Sequence, residues 1–490
     1  QEGIEAALET IVGSFENIGG LGSLLDVKET LSEEFLEEQT RITDDWDSTK
    51  SLSVFLSELQ EEIESRQNGN SFQANELKSF VNLLYILSLD YDVALMNPPY
   101  GSQRRMPKSV RDYVKEHYKY PPEYYINFFE VCDRLVSSDG RIGMLVPRSF
   151  MYNQSFEEFR SDFIGERGTF DFLAEFGEGI LDNATVRTVG TVVRSSEDNQ
   201  DQEGEFFRLH DVEKSEKEDA FLKAAFVDPV DDGIKRRYTR KLSEFSHIPG
   251  YHISYWMPLS LRELYDSESV FDADNAGVDR KSLGVVKHGA TTGDNSRFIR
   301  YFWEVDSDEW APISKGGEDA WILPRINMVS MWGKSPEIHR FDRSVARNTE
   351  YFFEESLTYT VAKEGGRRFG YLHESSSFDA KGSVLIPDGD ILTVLAYANS
   401  HLANYLMIGQ TPDRMWQIGM VSKLPWHDDL ADSDLLGDVT RSMIGKKIAL
   451  RRTDINSPYY ENPTLLDPLS TYQNDTGFYN HPHRSPLNEI

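Results

Sequence analysis

The chain has little cysteine, few long apolar runs and a shortage of positive charge. Cys132 is the only cysteine among 490 residues, which excludes a disulfide within the chain and a metal cluster built on several cysteines. No stretch approaches the ~18 apolar residues of a membrane span, and no secretory pattern follows Gln1. Processing, tag removal or a missing upstream part would each explain a start at Gln1. We therefore expect a cytoplasmic protein with no membrane partner.

Basic residues are outnumbered along the whole chain. There are 82 Asp and Glu against 51 Lys and Arg, which gives a formal net charge of -31. Such a surface repels nucleic acid at ordinary ionic strength. In molar salt, where the Debye length is about 3 Å, that repulsion is screened. The charge therefore indicates either a protein that avoids polyanions or a halophilic one, and the low lysine content favours the halophile.

The most informative motif is Asn97-Pro98-Pro99-Tyr100, which follows an apolar run at 93–96. This pattern predicts a buried strand with the motif at its carboxyl end, where α/β enzymes hold their active sites. The prolines lack N–H donors and keep the backbone extended, so the Asn97 side-chain oxygen and the Pro98 carbonyl are two outward acceptors. Tyr100 offers a face for a planar base, a contact worth about 1–3 kcal/mol. The tetrad suits an exocyclic amine such as N6 of adenine, and a plain Asn-Pro turn is the alternative.

Apolar runs predict four strands in the first part of the chain, at 93–96, 141–147, 170–176 and 188–193. Between them we predict one helix that ends near residue 135 and another over 156–164. Strands that alternate with helices imply a mostly parallel sheet, so the predicted fold class is α/β.

The chain divides into three segments that differ in composition and in predicted secondary structure. Residues 1–225 form the strand-and-helix segment and include an acidic helical insertion at about 29–88, whose spacing favours a packed helix pair. A polar stretch at 195–205 marks a boundary or a surface loop. Residues 226–428 mix α and β and are rich in aromatic residues and Gly-containing turns. Residues 429–490 predict a short helix and then a tail that is extended on a partner or disordered.

Several segments of the chain resemble those of a known protein family. Residues 91–101 look like the catalytic motif of adenine-N6 DNA methyltransferases. Residues 15–24 resemble a segment upstream of that motif in the type IIG-like branch and in PglX, the methyltransferase of BREX phage-defence systems. The resemblance covers roughly residues 11 to 426. Stretches similar to the target-recognition region of the same group are 292–298, 315–318, 399–405, 417–419 and 424–425.

The resemblance implies a partial Rossmann-like class I methyltransferase domain followed by a mixed α+β target-recognition domain. It also implies transfer of a methyl group from S-adenosyl-L-methionine to a flipped adenine in double-stranded DNA. Asn97, beside the cofactor, and Pro98 would accept hydrogen bonds from the amine while Tyr100 stacks on the base. Catalysis would be chiefly positioning, because the amine becomes acidic only as it is methylated. Ile180 and Leu181 stand where the family usually has another aromatic residue, and they would make apolar contact with the base.

One part of the family pattern is not found. The Gly-containing cofactor loop should follow a strand upstream of the tetrad, and the Gly-rich residues 19–22 have no apolar strand before them. A plain turn is therefore favoured there. The simplest reconciliation is a split enzyme, in which a second methyltransferase subunit carries the missing strand and glycine loop. Other defence-system proteins are the further expected partners.

Two polar clusters are candidates for DNA contact, each with a plainer alternative. The first follows the tetrad and would contact phosphate or form a solvated loop; its members are Arg104, Arg105, Lys108 and Arg111. The second would read a base edge or form a turn pinned by its own side chains; its members are Thr292, Asp294, Asn295 and Arg297. His481 and His483 lack carboxylate or cysteine partners, so we expect no metal site.

Two other functions remain open from the residues. The tetrad alone does not separate DNA adenine from another amine, such as a ribosomal RNA adenine or a protein glutamine. From a different class, the chain would be a non-catalytic DNA-recognition subunit of a defence complex. The large second domain favours DNA as the substrate.

Overall fold

The computed structural model describes most of the chain from residue 72 to residue 461. Short gaps lie at 102, 121–122, 182–185, 196–201, 232, 318–320, 412–414 and 432. Before residue 72 it describes residues 24, 26–28 and several positions between 53 and 61. The Gly-rich residues 19–22, much of the predicted insertion at 29–88, and the tail with His481 and His483 lie outside the described residues.

The chain divides into two compact units. The first comprises Gln1–Ser246 and Gly250–Trp256, and the second comprises His247–Pro249 and Met257–Ile490. The functional boundaries given above, at 225/226 and 428/429, stay predictions.

The first unit is built on one six-stranded sheet. Its strands are β1 (Tyr91–Met96), β2 (Val136–Pro147), β3 (Gly168–Gly177), β4 (Thr188–Ser195), β5 (Glu203–Arg208) and β8 (Arg237–Lys241), while β6 (Val230–Asp231) and β7 (Ile234–Lys235) form a separate hairpin. The order across the sheet is β1-β2-β4-β3-β5-β8. The helices of this unit are α1 (Phe72–Ser88), α2 (Lys108–His117), α3 (Tyr124–Leu135) and α4 (Lys217–Phe226).

The sheet is mixed rather than simply parallel. β1 pairs with β2, and β3 pairs with β5, in parallel, whereas β4 is antiparallel to both β2 and β3. The predicted α/β class is confirmed, but the direction of β4 corrects the expectation of a mostly parallel arrangement throughout. The reason is the connection: only ten residues separate the end of β3 from the start of β4, and a parallel crossover needs about a dozen or more.

The second of the two helices predicted between the strands also differs from the structure. The helix predicted over 156–164 is a π-helical segment, Phe159–Arg167, preceded by a 3-10 turn at Gln154–Phe156. Arg160 in this segment is fully buried and donates to the carbonyls of Phe150, Asn153 and Gly250. A buried guanidinium requires such acceptors, and a hydrophobic periodicity does not reveal them.

The core of the first unit lies between the sheet and α3. The Phe129 ring, fully buried, lies 5.2 Å from Phe159 and 6.2 Å from Phe150, measured between ring centroids. Phe159 and Phe163 stack at 5.2 Å. Burial of each such ring contributes about 1.5–3 kcal/mol. This aromatic cluster fixes α3 against the sheet, directly beside the segment that carries the tetrad.

The second unit contains three small sheets and a helical layer. Its strands are β9 (Ser269–Val270), β10 (Lys281–Ser282), β11 (Gly284–Lys287), β12 (Ile299–Tyr301), β13 (Ala311–Ser314), β14 (Met328–Ser330), β15 (Ser356–Tyr359), β16 (Phe369–Leu372), β17 (Ser377–Phe378), β18 (Val384–Pro387) and β19 (Pro425–Trp426). The sheet orders are β10-β9-β19, β11-β18-β15-β16 and β12-β14-β13-β17.

Helices of the second unit are mostly short. They are α5 (Leu259–Arg262), α6 (Ala273–Ala276), α7 (Asn295–Phe298), α8 (Pro336–His339), α9 (Ile391–Ala398), α10 (His401–Gln410), α11 (Ile418–Val421) and α12 (Asp434–Arg451). The central aromatic core contains Phe298, Trp332, Phe352 and Phe378. Within the described part of the chain, no helix is both long and apolar enough to cross a membrane.

Candidate active site

The tetrad lies at the carboxyl edge of the first unit's sheet. Strands β1, β2, β3 and β5 run in the same direction, so their carboxyl ends meet at one edge. Asn97 directly follows β1, and Arg148 directly follows β2. In open α/β sheets this edge is where ligands bind.

The four residues of the tetrad differ in exposure. Asn97 and Pro99 are exposed, Pro98 is buried and Tyr100 is partly buried. No hydrogen bond joins the Asn97 side chain to another described residue. The Tyr100 hydroxyl donates to the carbonyl of Leu145 at 3.0 Å, and burial raises the pKa of this phenol, so it stays a donor at neutral pH. An anchored ring therefore lies next to an amide that is available to a ligand.

An open apolar groove of ≈ 420 Å³ lies beside Asn97 on one face of the sheet. Its floor includes Leu95, Leu145, Phe172 and Phe176. Gly143 shapes the floor, because a Cβ there would lie 2.3 Å from the Leu95 side chain. Asn97 and Thr191 are the polar side chains of its lining, and the other lining residues are apolar.

The strand that carries the tetrad is also an edge strand. Among the described residues, no strand pairs with the side of β1 that faces away from β2. Val93 is 52% exposed and Leu95 is 77% exposed. An edge with unpaired backbone groups and apolar side chains is a template for pairing with another chain segment. Within the described part of the chain, the site is therefore open on the side of β1.

The two apolar candidates for base contact lie farther along the same edge. Ile180 and Leu181 are partly buried and follow Gly177 and Gly179, which adopt φ of 73° and 88°. Three strand spacings, roughly 14 Å, separate β3 from β1. Contact with a base at Asn97 therefore depends on how the loop after Gly177 turns back toward β1.

Sequence reasoning missed a buried polar network on this edge. Arg148 donates from Nη1 to Oε1 of Glu175 at 2.9 Å, and the Tyr255 hydroxyl donates to Oε2 at 2.8 Å. Burial acts to raise the pKa of Glu175, but the Arg148 guanidinium and His210 outweigh it and hold the pKa below its usual value. The available signals were Arg148 directly after one predicted strand and an acidic residue, Glu175, within another.

The basic cluster after the tetrad lies in a turn and at the start of α2. Arg104, Arg105 and Lys108 are exposed and Arg111 is partly buried. The charge of Arg105 opposes the rise that burial causes in the pKa of Glu123. Cations in the first turn of a helix are unfavourable to the helix dipole. The places of Lys108 and Arg111 in α2 are therefore unfavourable for the helix dipole.

The polar cluster of the second unit is occupied by its own hydrogen bonds. Thr292 is buried and donates to Oδ1 of Asn295 at 2.6 Å. Asp294 caps α7 by accepting from the backbone N–H of Arg297 at 3.2 Å and from the Ser296 hydroxyl at 2.6 Å. Arg297 forms an ion pair with Glu337. Of the two interpretations of this cluster, the self-pinned turn describes its contacts in this structure.

Three cations near that turn were not singled out from the sequence. Arg347 and Lys381 are exposed, and Lys287 is partly buried. None of them forms an ion pair with another described residue. Backbone hydrogen bonds bring their segments together, with Val345 bonded to Thr291 at 2.8 Å and Ala380 bonded to Ala290 at 3.1 Å. Three cations without an ion-pair partner among the described residues thus lie on neighbouring segments of a chain with net charge -31, and Lys287 also contacts the Tyr351 ring.

No grouping suited to a metal ion is found within the described ranges, where three or more His, Cys, Asp or Glu side chains do not converge. The described residues bring together the tetrad, the groove and the basic turn at one sheet edge.

Comparisons with known proteins point to the same part of the chain. The family model of the Eco57I restriction-modification methylase matches residues 23–178, which include the tetrad. The adenine-specific methyltransferase PglX of Lacticaseibacillus casei (strain Zhang) is 25% identical over 420 residues, 79% of this chain and 33% of that protein. The adenine-specific methyltransferase BrxX of Escherichia coli O9:H4 (strain HS) is 24% identical over 375 residues, 72% of this chain and 29% of that protein.

The chain thus spans about a third of the length of the curated relatives it matches. The predicted similarity to adenine-specific methyltransferases of the PglX group is confirmed. Among solved structures, a nuclease-deletion mutant of the Type ISP restriction-modification enzyme LlaGI with a DNA substrate mimic is 12% identical, with a TM-score of 0.44 over 78% of this chain and 37% of that one. The Type IIL restriction-modification enzyme MmeI in complex with DNA is 9% identical, with a TM-score of 0.42 over 76% of this chain and 52% of that one.

We expect Tyr100→Phe to lower the free energy of unfolding of the first unit by about 0.5–1.5 kcal/mol, because the hydroxyl bond to Leu145 is lost and the ring is kept. Urea denaturation measures this change. The matched control is Tyr124→Phe, because no hydrogen bond joins the Tyr124 hydroxyl to a described residue. Equal losses in the two variants would show that the bond to Leu145 does not anchor the ring.

Proposed function

We propose that this chain carries the catalytic tetrad of a site-specific DNA adenine N6-methyltransferase that depends on S-adenosyl-L-methionine, within a phage-defence or restriction-modification system. The observation that carries the proposal is the exposed, unengaged amide of Asn97 at the carboxyl end of β1, beside the anchored ring of Tyr100. The printed names of the curated relatives, adenine-specific methyltransferases, support the same chemistry.

The tetrad acts by positioning the target base. The Asn97 side-chain oxygen and the Pro98 carbonyl accept the two N–H bonds of the adenine amine, which directs the nitrogen lone pair out of the ring plane. Tyr100 stacks on the flipped base, a contact worth about 1–3 kcal/mol. Methyl transfer would leave the cofactor's sulfonium as a neutral thioether. The amine becomes acidic only as it is methylated and then loses one proton to water, so no general base is required beforehand.

S-adenosyl-L-methionine supplies the methyl group when it is bound. The described residues fit one wall of the cofactor site. Asn97 and the groove at Leu95 border the position, next to the adenine amine, that the methyl group would occupy. Within the described ranges, no strand on the far side of β1 carries a glycine loop for the rest of the cofactor. We propose that a second methyltransferase subunit supplies this strand and loop at the open edge of β1.

We expect Asn97→Ala to reduce N6-methyladenine formation by about 100-fold or more, because one of two acceptors that position the amine is lost. Mass spectrometry of nucleosides from cells that express the complete system measures the product. Asn82→Ala, at an exposed position of α1, is the matched control. Undiminished methylation by the Asn97 variant would refute the assignment and favour a non-catalytic DNA-recognition subunit.

The open edge of β1 leads to a prediction about the affinity for the cofactor. We expect the isolated chain to bind S-adenosyl-L-methionine weakly and to gain affinity with its partner subunit, as measured by calorimetry. Leu95→Arg should prevent that gain, because a charge would be buried at the new strand pair. Leu435→Arg, which alters a leucine that is 71% exposed on α12, is the control. Tight binding by the chain alone would contradict a split cofactor site.

The acidic surface leads to a prediction about folding and DNA binding at high salt concentration. We expect the protein to stay folded and to keep binding double-stranded DNA in molar potassium chloride, because screening removes the self-repulsion and the repulsion of phosphates. Specific contacts would come from residues 226–428. A filter-binding series across salt concentration tests this, and binding that collapses above moderate salt would argue against a halophilic enzyme.

The same series locates phosphate contacts. If Arg347 and Lys381 each contact a phosphate, replacing one by alanine reduces the salt slope of binding by about 1. Lys446→Ala, at an exposed position of α12, should leave the slope unchanged.

A further inference from the structure

Three side-chain contacts, joined through the backbone between the neighbouring residues Arg148 and Ser149, cross the carboxyl edge of the sheet from Tyr100 to the end of β3. We name this set of contacts the edge relay; its members are Tyr125, Ser149, Arg148 and Glu175. We propose that the edge relay is a positioning device that fixes the plane of the Tyr100 ring relative to the loop after Gly177. This inference rests on the proposed function, in which Tyr100 stacks on the target base.

The first contact of the relay is aromatic. The Tyr125 ring meets the Tyr100 ring edge to face, with centroids 6.4 Å apart and planes at 78°. Tyr125 is 2% exposed and packs its other side against Phe156. The bond from Tyr100 to Leu145 fixes one end of the Tyr100 ring, and Tyr125 limits its rotation. The orientation of Tyr100 therefore depends on where Tyr125 is held.

The second contact is a hydrogen bond that holds Tyr125 in place. Its hydroxyl lies 2.9 Å from the Ser149 hydroxyl. Ser149 follows Arg148, whose backbone N–H donates to the Arg187 carbonyl at 2.8 Å and whose guanidinium binds Glu175. The segment after β2 is thus fixed by its backbone and by a side chain at once.

The third contact anchors the relay in β3. Glu175 is 2% exposed, and its second carboxylate oxygen accepts from Tyr255, which is fully buried. The backbone around it is equally constrained, since the Glu175 carbonyl accepts from Leu209 at 2.9 Å and the Gly177 carbonyl accepts from the Thr188 hydroxyl at 3.2 Å. The loop after Gly177 therefore starts from a fixed point.

Stability alone is a poor reason for this arrangement. Burying an Arg–Glu pair costs several kcal/mol of desolvation per ion, and apolar residues of similar volume are often as stabilising. The pair supplies a defined geometry between the ends of β2 and β3, and the whole edge relay spans about 14 Å of sheet edge, from β1 to β3. That span separates the two walls that would enclose a flipped base. A misplacement of about 1 Å at a reacting centre costs on the order of 100-fold in rate.

The test is a double-mutant cycle on the bond between Tyr125 and Ser149, measured in the complex that the full chain forms in its host. The substrate is a duplex containing the site found by sequencing N6-methyladenine in genomic DNA. We expect Tyr125→Phe and Ser149→Ala each to lower kcat about tenfold, with KM for the duplex within about twofold. The double variant should match either single variant, because both remove one shared contact.

Controls separate positioning from general damage. Ser149→Thr keeps a hydroxyl and should restore kcat to near the unmodified value. Tyr265→Phe removes another buried tyrosine hydroxyl, bonded to the Leu406 carbonyl in the second unit, and should leave kcat unchanged. Fluorescence of 2-aminopurine at the target position should rise equally in all variants, which shows that the base still flips.

Two failures are distinguishable. If the unmodified complex methylates DNA but the two single variants keep full kcat, or if their effects simply add, the edge relay is overturned while the proposed function stands. If the unmodified complex forms no N6-methyladenine, the proposed function is wrong, and the proposed role of the edge relay is wrong as well.

Discussion

The parallel pairing of β1 with β2 is the contact on which the site depends. It brings Met96 opposite Met144, so that Asn97 and Arg148 emerge at the same edge of the sheet. Tyr100 then reaches the carbonyl of Leu145 in β2, and Gly143 leaves space for Leu95. A shift of this register by one residue would turn the tetrad to the other face, because side chains alternate along a strand.

The same pairing leaves β1 with one neighbour among the described residues. The exposed leucine and valine of this strand are costly in water, by about 25 cal/mol for each Å² of apolar surface. Covering them with another strand would close the groove and complete a pocket at Asn97. The open edge and the groove are thus the two observations that support the proposed completion of the site by a further chain segment.

Local patterns predicted most of what positions the tetrad. The runs at 93–96, 141–147, 170–176 and 188–193 all lie within strands of the sheet. The direction of β4 depends on the length of a connection, and the buried Arg160 of the π-helical segment has one of its acceptors, the Gly250 carbonyl, 90 residues away. The pairing of Arg148 with Glu175, and the grouping of Arg347 with Lys381, arise only when separate segments fold together. Local sequence marks the individual residues but not their partners, so sequence reasoning selected the Thr292 turn instead.

The most direct measurement of the central claim is a structure of the complete enzyme with S-adenosyl-L-methionine and a duplex that contains its target site. We expect one adenine out of the stack, with its N6 atom about 3 Å from both the Asn97 side-chain oxygen and the Pro98 carbonyl. The Tyr100 ring should lie parallel to the base. A target base that stays stacked in the duplex, or an amine held by other residues, would contradict it.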